Sequence, residues 1–204
     1  MKDFTARFRA PLEITRPRGC RLLEAFSPKL ARAIRLFDHA SFEQWIRLEA
    51  DPTALSLCER PARLDTNGDG RLIDFWVQRR EREELLLLEH GEAEHAVPDH
   101  LDGLALRVIA PAELAAANIW VTNWQRMLPV INATRTLLPK GLAKSVLSFV
   151  HEPIALALIE HQFSIGDPSL VRGVIFELLR TGGLYAPALH TQPLSLRTLL
   201  EPAS

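Results

Sequence analysis

Hydrophobic and polar positions follow a strand-like pattern through the middle of the chain. Short runs rich in β-branched and aromatic residues are separated by clusters of turn-forming or charged residues, DTNGDG and REREE. The pattern predicts four strands, which are ALSLCERP (54–61), RLIDFWVQR (71–79), ELLLLEHG (84–91) and LALRVIAP (104–111). A helix, PAELAAANIWVTNWQRML (111–128), is predicted to follow the fourth strand.

Apolar residues take helical spacing in front of these strands. SFEQWIRLEA (41–50) predicts an amphipathic helix that Ser41 caps and that Asp51-Pro52 ends. The preceding FSPKLARAIRLFDHA (26–40) is expected to be a loop or a short helix with Lys and Arg on one side. Together these elements predict a compact α/β unit with a mixed sheet.

The C-terminal part of the chain has a different pattern. Three helical runs, 139–153, 154–163 and 169–183, precede an extended segment with two prolines, 184–200. Three helices followed by a β hairpin are typical of a winged helix-turn-helix, which commonly binds DNA. The alternative is a small helical domain that serves only as a partner interface. We therefore predict an α/β domain over residues 1–118 and a winged-helix-like domain over residues 119–204.

Composition and charge limit the class of protein. The chain has 204 residues, 47% of them hydrophobic, and a net charge of −1. No apolar run approaches the ~20 residues that cross a bilayer, and the N-terminus lacks a signal-peptide pattern, so a cytoplasmic location without membrane contact is expected. Residues 1–40 carry nine Lys/Arg against four Asp/Glu, which indicates a basic arm that contacts a polyanion or is simply solvated. Cys20 and Cys58 are expected to be buried thiols.

The stretch DTNGDGRLIDFW (65–76) resembles the first half of a calcium loop. The closing acid of such a loop belongs at its twelfth position, which is Trp76 here, and a strand-like segment replaces the exiting helix. Asn67-Gly68 and Asp69-Gly70 are strong turn dipeptides, so a hairpin turn is the favoured interpretation and a calcium-binding interaction module the weaker one.

Three carboxylates are candidates for chemistry. Asp74 lies within an apolar strand, where a carboxylate is costly unless it is paired or bound to a cation. Glu89 follows four leucines on the next strand, and Glu43 lies on the preceding helix. If these acids converge, they can hold one or two Mg²⁺ ions that activate water at a phosphodiester.

The order of these residues resembles the PD-(D/E)xK restriction-endonuclease-like nucleases, and more narrowly TnsA, the end-cutting subunit of heteromeric bacterial transposases. The resemblance is carried by the segment FSPKLARAIRLFDHASFEQWIRLEADPTALSLCERPARL, by LIDFWV, and by the ending FELLRTGGLYAPALHTQPLSLRTLL. It implies a restriction-endonuclease-like core, Mg²⁺ (or Mn²⁺) as cofactor, and double-stranded DNA at transposon ends as substrate. It also implies a DDE transposase subunit and an AAA+ regulator as partners.

The resemblance assigns roles to individual residues. Glu43, Asp74 and Glu89 would ligate metal, and Lys29, Arg32 and Arg35 are our candidates for contacts to DNA phosphates. The family's third motif ends in lysine two residues after its acid, where this chain has Gly91, or His90 if the register shifts by one. His90 is therefore a weak catalytic candidate. Two hypotheses follow: an active endonuclease, or a catalytically impaired pseudo-nuclease that serves as a DNA-binding scaffold of the transposition complex.

Overall fold

The computed structural model describes residues 8–64, 70–89, 97–164 and 167–203. The chain separates into two compact units. The first comprises residues 1–48 and 53–116, and the second comprises residues 49–52 and 117–204. The change of unit at residues 116 and 117 lies two residues from the domain boundary predicted after residue 118.

A mixed five-stranded sheet forms the centre of the first unit. Up to residue 116 the elements are β1 (Leu23–Ser27), β2 (Arg32–Leu36), α1 (His39–Ala50), β3 (Ser56–Glu59), β4 (Phe75–Gln78), β5 (Glu83–Leu88), β6 (His100–Leu101), β7 (Leu104–Ile109) and α2 (Pro111–Ala116). The sheet has the order β3-β4-β5-β7-β6, in which only β5 and β7 are parallel. This arrangement confirms the predicted mixed α/β class. Each of the four predicted strands overlaps one strand of the sheet, with β5 beginning one residue before its predicted start, and β6 was not predicted.

The four leucines of β5 explain why this strand lies at the centre of the sheet. Leu85 to Leu88 are all buried, at 1% exposure or less. A strand that is covered on both faces reads as a continuous apolar run instead of an alternating one. One face contributes Leu85 and Leu87 to a core cluster with Cys58, Ile73 and Trp76.

The segment 26–40 differs from its prediction. It contains β2 and the end of β1, which pair as an antiparallel hairpin with Phe26 opposite Ala33. Ile34 and Leu36 are buried while Arg35 is exposed, which is the two-residue period of a strand. The prediction of a loop or short helix was wrong because cations spaced three residues apart also fit one side of a helix.

The start of α1 also differs from its prediction. The helix begins at His39, and Asp38 precedes it as the capping residue. Oδ1 of Asp38 accepts the Ser41 backbone N–H at 2.7 Å, and Oδ2 accepts the Ser41 hydroxyl at 2.6 Å. Ser41 is therefore the capped residue and not the cap. The helix ends at Ala50, directly before Asp51-Pro52, as predicted.

The second unit combines helices with a small sheet. Its elements are α3 (Asn118–Thr134), α4 (Leu142–Phe149), β8 (Ile154–Ala155), α5 (Leu156–Phe163), α6 (Ser169–Thr181), β9 (Leu184–Tyr185), a 3-10 turn (Pro187–His190) and β10 (Leu199–Pro202). The three predicted C-terminal helical runs correspond to α4, α5 and α6. The predicted single helix over 111–128 was wrong, because the chain breaks it into α2 and α3 near Ala117.

Antiparallel pairing places β10 between β8 and β9. The helix α6 is covered along nearly its whole circumference, since only Thr181 among its residues is exposed. Its buried positions, among them Val174, Ile175 and Phe176, make α6 a core element of its unit.

His190 is expected to stay neutral at a lower pH than an ordinary histidine. Its ring stacks on Trp120 of α3 with the centroids 4.0 Å apart, and burial lowers the pKa of His190 below 6.5. Since the folded state then binds fewer protons than the unfolded state, this group's contribution to stability is present above pH 6.5 and is lost as the pH falls through the folded-state pKa. An NMR titration of the His190 ring should therefore give a midpoint below 6.5.

The matched control for this titration removes the stacking partner. In Trp120→Ala the His190 ring gains solvent, and its midpoint should move up toward 6.5. An unchanged midpoint in the variant would contradict the assignment to burial against Trp120.

No helix of the described residues is both long enough and apolar enough to cross a membrane.

Candidate active site

Asp74 is held at the junction of β4 and β5. It directly precedes β4, and its Oδ2 accepts the backbone N–H of Leu88 at 2.7 Å. Its own backbone N–H donates to the Leu86 carbonyl at 3.1 Å. The carboxylate is therefore fixed beside the last residue of β5.

Glu89 follows β5 directly and shares a sheet face with Asp74. The antiparallel register pairs Phe75 with Leu86. Because the strands run in opposite directions, the residue before Phe75, Asp74, lies opposite the residue after Leu86, which is Leu87. Glu89 lies two positions beyond Leu87 and so points to the same face. Diagonal neighbours of this kind are about 7–8 Å apart, a separation that carboxylates can span to share a cation. The Glu89 backbone N–H donates to the Ile109 carbonyl at 3.0 Å, which fixes the chain at this point.

Arg71 brings a cation to the same place. Its Nη2 donates a hydrogen bond to the Leu88 carbonyl. Leu88 is also the residue whose N–H donates to Asp74. Arg71 was not predicted from the sequence, because the family's third motif places the cation shortly after the acid on the same strand. Arg71 comes instead from the neighbouring strand segment, and only the pairing register reveals that proximity.

A β-bulge lies opposite Asp74. Glu59 pairs with Phe75, whereas Arg63 pairs with Leu72, so the β3 side carries one extra residue between these pairs. Arg60 occupies the bulge with φ +48°, and its backbone N–H donates to the Asp74 carbonyl at 2.9 Å. Positive φ in a residue with a side chain is strained, and bulges commonly re-aim side chains next to functional sites.

The structure places Glu43 in a different local setting. Its Oε1 lies 3.1 Å from Nε2 of His39, one helical turn earlier on α1. Within the described ranges, no three His, Cys, Asp or Glu side chains are grouped closely enough to hold a metal ion, and Glu43, Asp74 and Glu89 are thus not assembled as a triad. His90 lies outside the described residues. The strand register puts Asp74 and Glu89 on one face of the sheet, and the Asp74 carboxylate is hydrogen-bonded to the residue before Glu89.

The three predicted phosphate-contacting cations already bond to the protein. Nζ of Lys29 donates to the Ala54 carbonyl at 2.6 Å. Arg32 forms a two-pronged pair with Glu59, and Arg35 pairs with Glu24 at 2.7 Å. Their exposure decides which can still meet DNA: the Arg35 side chain is 69% exposed, that of Arg32 only 32%.

The calcium-like stretch falls partly outside the described residues, since 65–69, which include the predicted turn dipeptide Asn67-Gly68, are not among them. The part beyond the turn is described. Trp76, at the position of the closing acid, is buried in β4 and donates its Nε1–H to Glu83 at 3.1 Å. A strand therefore takes the place of the exiting helix that an EF-hand requires.

The two cysteines differ in burial. Cys58 is fully buried, and burial raises the pKa of its thiol to about 11. Cys20 is only partly buried, so the expectation of two buried thiols holds for one of them. A thiol with so high a pKa is protonated at neutral pH and is a poor nucleophile.

Comparison with known proteins gives no family for this chain. No protein-family model matches the sequence, and no curated protein matches it. Function is therefore inferred from the local geometry around Asp74.

Proposed function

We propose that this chain is a TnsA-like subunit of a heteromeric bacterial transposase. In this proposal it binds double-stranded DNA at transposon ends and hydrolyses phosphodiester bonds at the 5′ ends with Mg²⁺ or Mn²⁺. The observation that carries the proposal is the convergence of Asp74 and Arg71 on Leu88, directly before Glu89, where β4 begins and β5 ends. The first unit is then a restriction-endonuclease-like core.

Asp74 and Glu89 fit a site for Mg²⁺. This ion is commonly bound by one or two carboxylates together with waters and substrate phosphates, so two acids on one sheet face suffice. When bound, the ion would lower the pKa of a water and offset charge on the phosphate. Asp74 is fixed by the Leu88 N–H, so the carboxylate does not need to reorganise on binding.

Arg71 takes the place of the absent lysine in this proposal. A guanidinium offers paired N–H donors that match phosphate oxygens, and the exposed Arg71 lies beside the Leu88 peptide. Because arginine stays protonated, Arg71 can orient a phosphate and offset its charge but cannot accept a proton. We therefore expect slower hydrolysis than a lysine-containing site would give, with His90 as a further candidate for proton transfer.

The second unit is proposed to be a winged-helix-like domain that contacts partners or DNA. The support is its connectivity: β8 precedes the α5–α6 pair, β9 and β10 follow it, and the sheet has the order β8-β10-β9. The burial of α6 argues against its insertion into a DNA groove. Contacts to the DDE transposase, the AAA+ regulator or DNA are therefore proposed for the exposed β9 and β10 side chains Tyr185 and Leu199.

The pseudo-nuclease is the second candidate, and one observation favours it. The described residues contain no three-ligand metal group, and the family's lysine is absent from the sequence near Glu89. In this alternative the same fold binds DNA and assembles the transposition complex without cutting.

Asp74→Asn separates the two candidates. With Mg²⁺ or Mn²⁺ and a transposon-end duplex, the substitution is expected to slow nicking by roughly 100-fold or more, as for loss of a preorganised charge-stabilising group. The amide oxygen can still accept the Leu88 N–H, so thermal unfolding should change little.

Asp99→Asn is the matched control, because Asp99 is exposed and away from the β4–β5 junction. It should nick at the wild-type rate. Equal nicking by wild type and Asp74→Asn would contradict the endonuclease. A wild type that binds the duplex without nicking would favour the pseudo-nuclease.

A further inference from the structure

A cavity of about 500 Å³ lies in the first unit between the N-terminal segment and the end of β2. Its volume is in the range of small-molecule sites, which is about 300–1,000 Å³. Ile14, Leu22 and Phe37 provide an apolar wall. Of the described residues predicted from sequence to act in the site, Arg35 lines this cavity, whereas Glu43, Asp74 and Glu89 do not.

The charged lining of the cavity is mostly positive. It consists of Arg16, Arg35 and Arg60 against Glu13. Arg35 is paired with Glu24, whereas Arg16 and Arg60 have no carboxylate in ion-pair range within the part of the chain that the structure describes. An anion in the cavity would therefore meet two guanidinium groups that are not neutralised.

Arg60 is held in the wall of the cavity by several contacts. Its carbonyl accepts the Leu12 N–H at 2.9 Å, and its Nη1 donates to the Arg35 carbonyl at 2.5 Å. The guanidinium carbon lies 5.1 Å from the centre of the Phe37 ring. Its Nε is buried with no hydrogen-bond partner among the described residues, and burial lowers the pKa of Arg60. Burial of a cation is costly, and an anion in the cavity would offset the charge of the half-buried Arg60 guanidinium.

We propose that this cavity binds a nucleotide, with the phosphate at Arg16 and Arg60 and the base against Ile14 and Phe37. A guanidinium group matches the oxygens of a phosphate, and an apolar and aromatic wall suits a planar ring. Glu13 accepts hydrogen bonds only, so it favours a ligand that also carries N–H or O–H groups over a bare inorganic anion.

The nucleotide can come from two sources. The Arg60 backbone N–H bonds to the Asp74 carbonyl, so the cavity wall and the candidate active site share one bulged strand pair. The terminal nucleotide of a DNA strand is thus one source, and a free mononucleotide is the other. The proposal itself does not require the nuclease function.

Calorimetric titration of the full chain with deoxyadenosine monophosphate in EDTA tests the proposal. Saturable binding at one site is expected, and Arg16→Gln should weaken it by about 10-fold, the usual effect of a lost hydrogen bond to a charged group. Arg18→Gln is the control, since Arg18 is an exposed arginine of the same segment that does not line the cavity. This variant should bind as wild type does.

Two further measurements identify the source of the nucleotide and separate binding in the cavity from metal chemistry at Asp74. If a 5′-phosphorylated single-stranded oligonucleotide binds more tightly than the mononucleotide, the natural ligand is the end of a DNA strand. If the oligonucleotide binds equally or more weakly, the natural ligand is a free nucleotide. EDTA and the Asp74→Asn background remove metal chemistry, so failure here leaves the nuclease proposal intact. Absence of saturable mononucleotide binding, or equal weakening by Arg16→Gln and Arg18→Gln, would overturn the proposal.

Discussion

Replacing Arg32 with alanine is expected to lower the free energy of unfolding of the first unit by about 3 kcal/mol. Arg32 donates from Nη1 and Nη2 to the two carboxylate oxygens of Glu59 at 2.7 and 2.6 Å. The Glu59 side chain is 1% exposed, so the variant leaves a buried carboxylate without its partner, which costs about 3–5 kcal/mol. The lower end of this energy range applies because the Arg32 side chain is 32% exposed, so that water can partly replace the guanidinium as the partner of Glu59.

Arg35→Ala on the same strand is the matched control for this prediction. Arg35 pairs with Glu24, and both side chains are more than half exposed. Such surface pairs contribute about 0–1 kcal/mol, so urea unfolding should show a small change. Adding Glu59→Gln to Arg32→Ala should recover part of the loss, since the buried group is then neutral. Equal, small losses in Arg32→Ala and Arg35→Ala would show that burial of Glu59 does not decide the effect.

This comparison also bears on the predicted DNA contacts. Spacing in the sequence shows that Lys29, Arg32 and Arg35 are close together, but it does not show which of them has a partner. The partner of Arg32 is 27 residues away and comes next to it only through tertiary packing. A loss of DNA binding in Arg32→Ala would therefore be confounded by unfolding, and Arg35 is the better residue with which to test phosphate contacts.

Strands were predictable where burial leaves a clear pattern. The run of leucines in β5 predicted a strand, because a short continuous apolar run is typical of a strand that is covered on both faces. The β1–β2 hairpin was not predictable by the same means. Its buried positions Ile34 and Leu36 alternate over too short a distance to exclude a helix, and the turn at Ala31, with φ +52°, carries no glycine or asparagine.

The candidate site was partly predictable from strand order. Asp74 and Glu89 follow from two consecutive strands that a short connection, 79–82, joins into an antiparallel pair. The placement of Glu43 depends on how a helix packs, and helical periodicity gives no direct information on that packing. The contact between Arg71 and Leu88 depends on the pairing register of the two strands. A slip of one residue would turn every side chain to the other face of the sheet, and the sequence does not fix the register that closely.

Replacing Gly173 with alanine is expected to destabilise the second unit by up to about 2 kcal/mol. Gly173 lies within α6, where a Cβ would stand 2.0 Å from Oγ1 and 2.8 Å from Cβ of Thr134 on α3. Alanine would gain about 1 kcal/mol over glycine from helix propensity alone. The contact outweighs that gain, because overpacking costs about 1–3 kcal/mol and occasionally more.

A rotation of the Thr134 side chain does not relieve this contact. Its hydroxyl donates to the Val130 carbonyl at 2.8 Å, and both Cγ2 and Cβ lie close to the same point. The two helices would have to separate, which opens gaps along their apolar contact. Sequence periodicity gives no sign of this close approach, since a glycine inside a helical pattern also fits an ordinary exposed position.

A double-mutant cycle measures the contact directly. Thr134→Ala removes the atoms at 2.0 and 3.2 Å and leaves the one at 2.8 Å, so Gly173→Ala should cost at least about 1 kcal/mol less in that background than in wild type. Ser145→Ala on the exposed face of α4 is the control for helix propensity and should be neutral or slightly stabilising. If urea unfolding finds Gly173→Ala as stable as wild type, α3 and α6 are free to move apart, and the close approach at Thr134 does not define their packing.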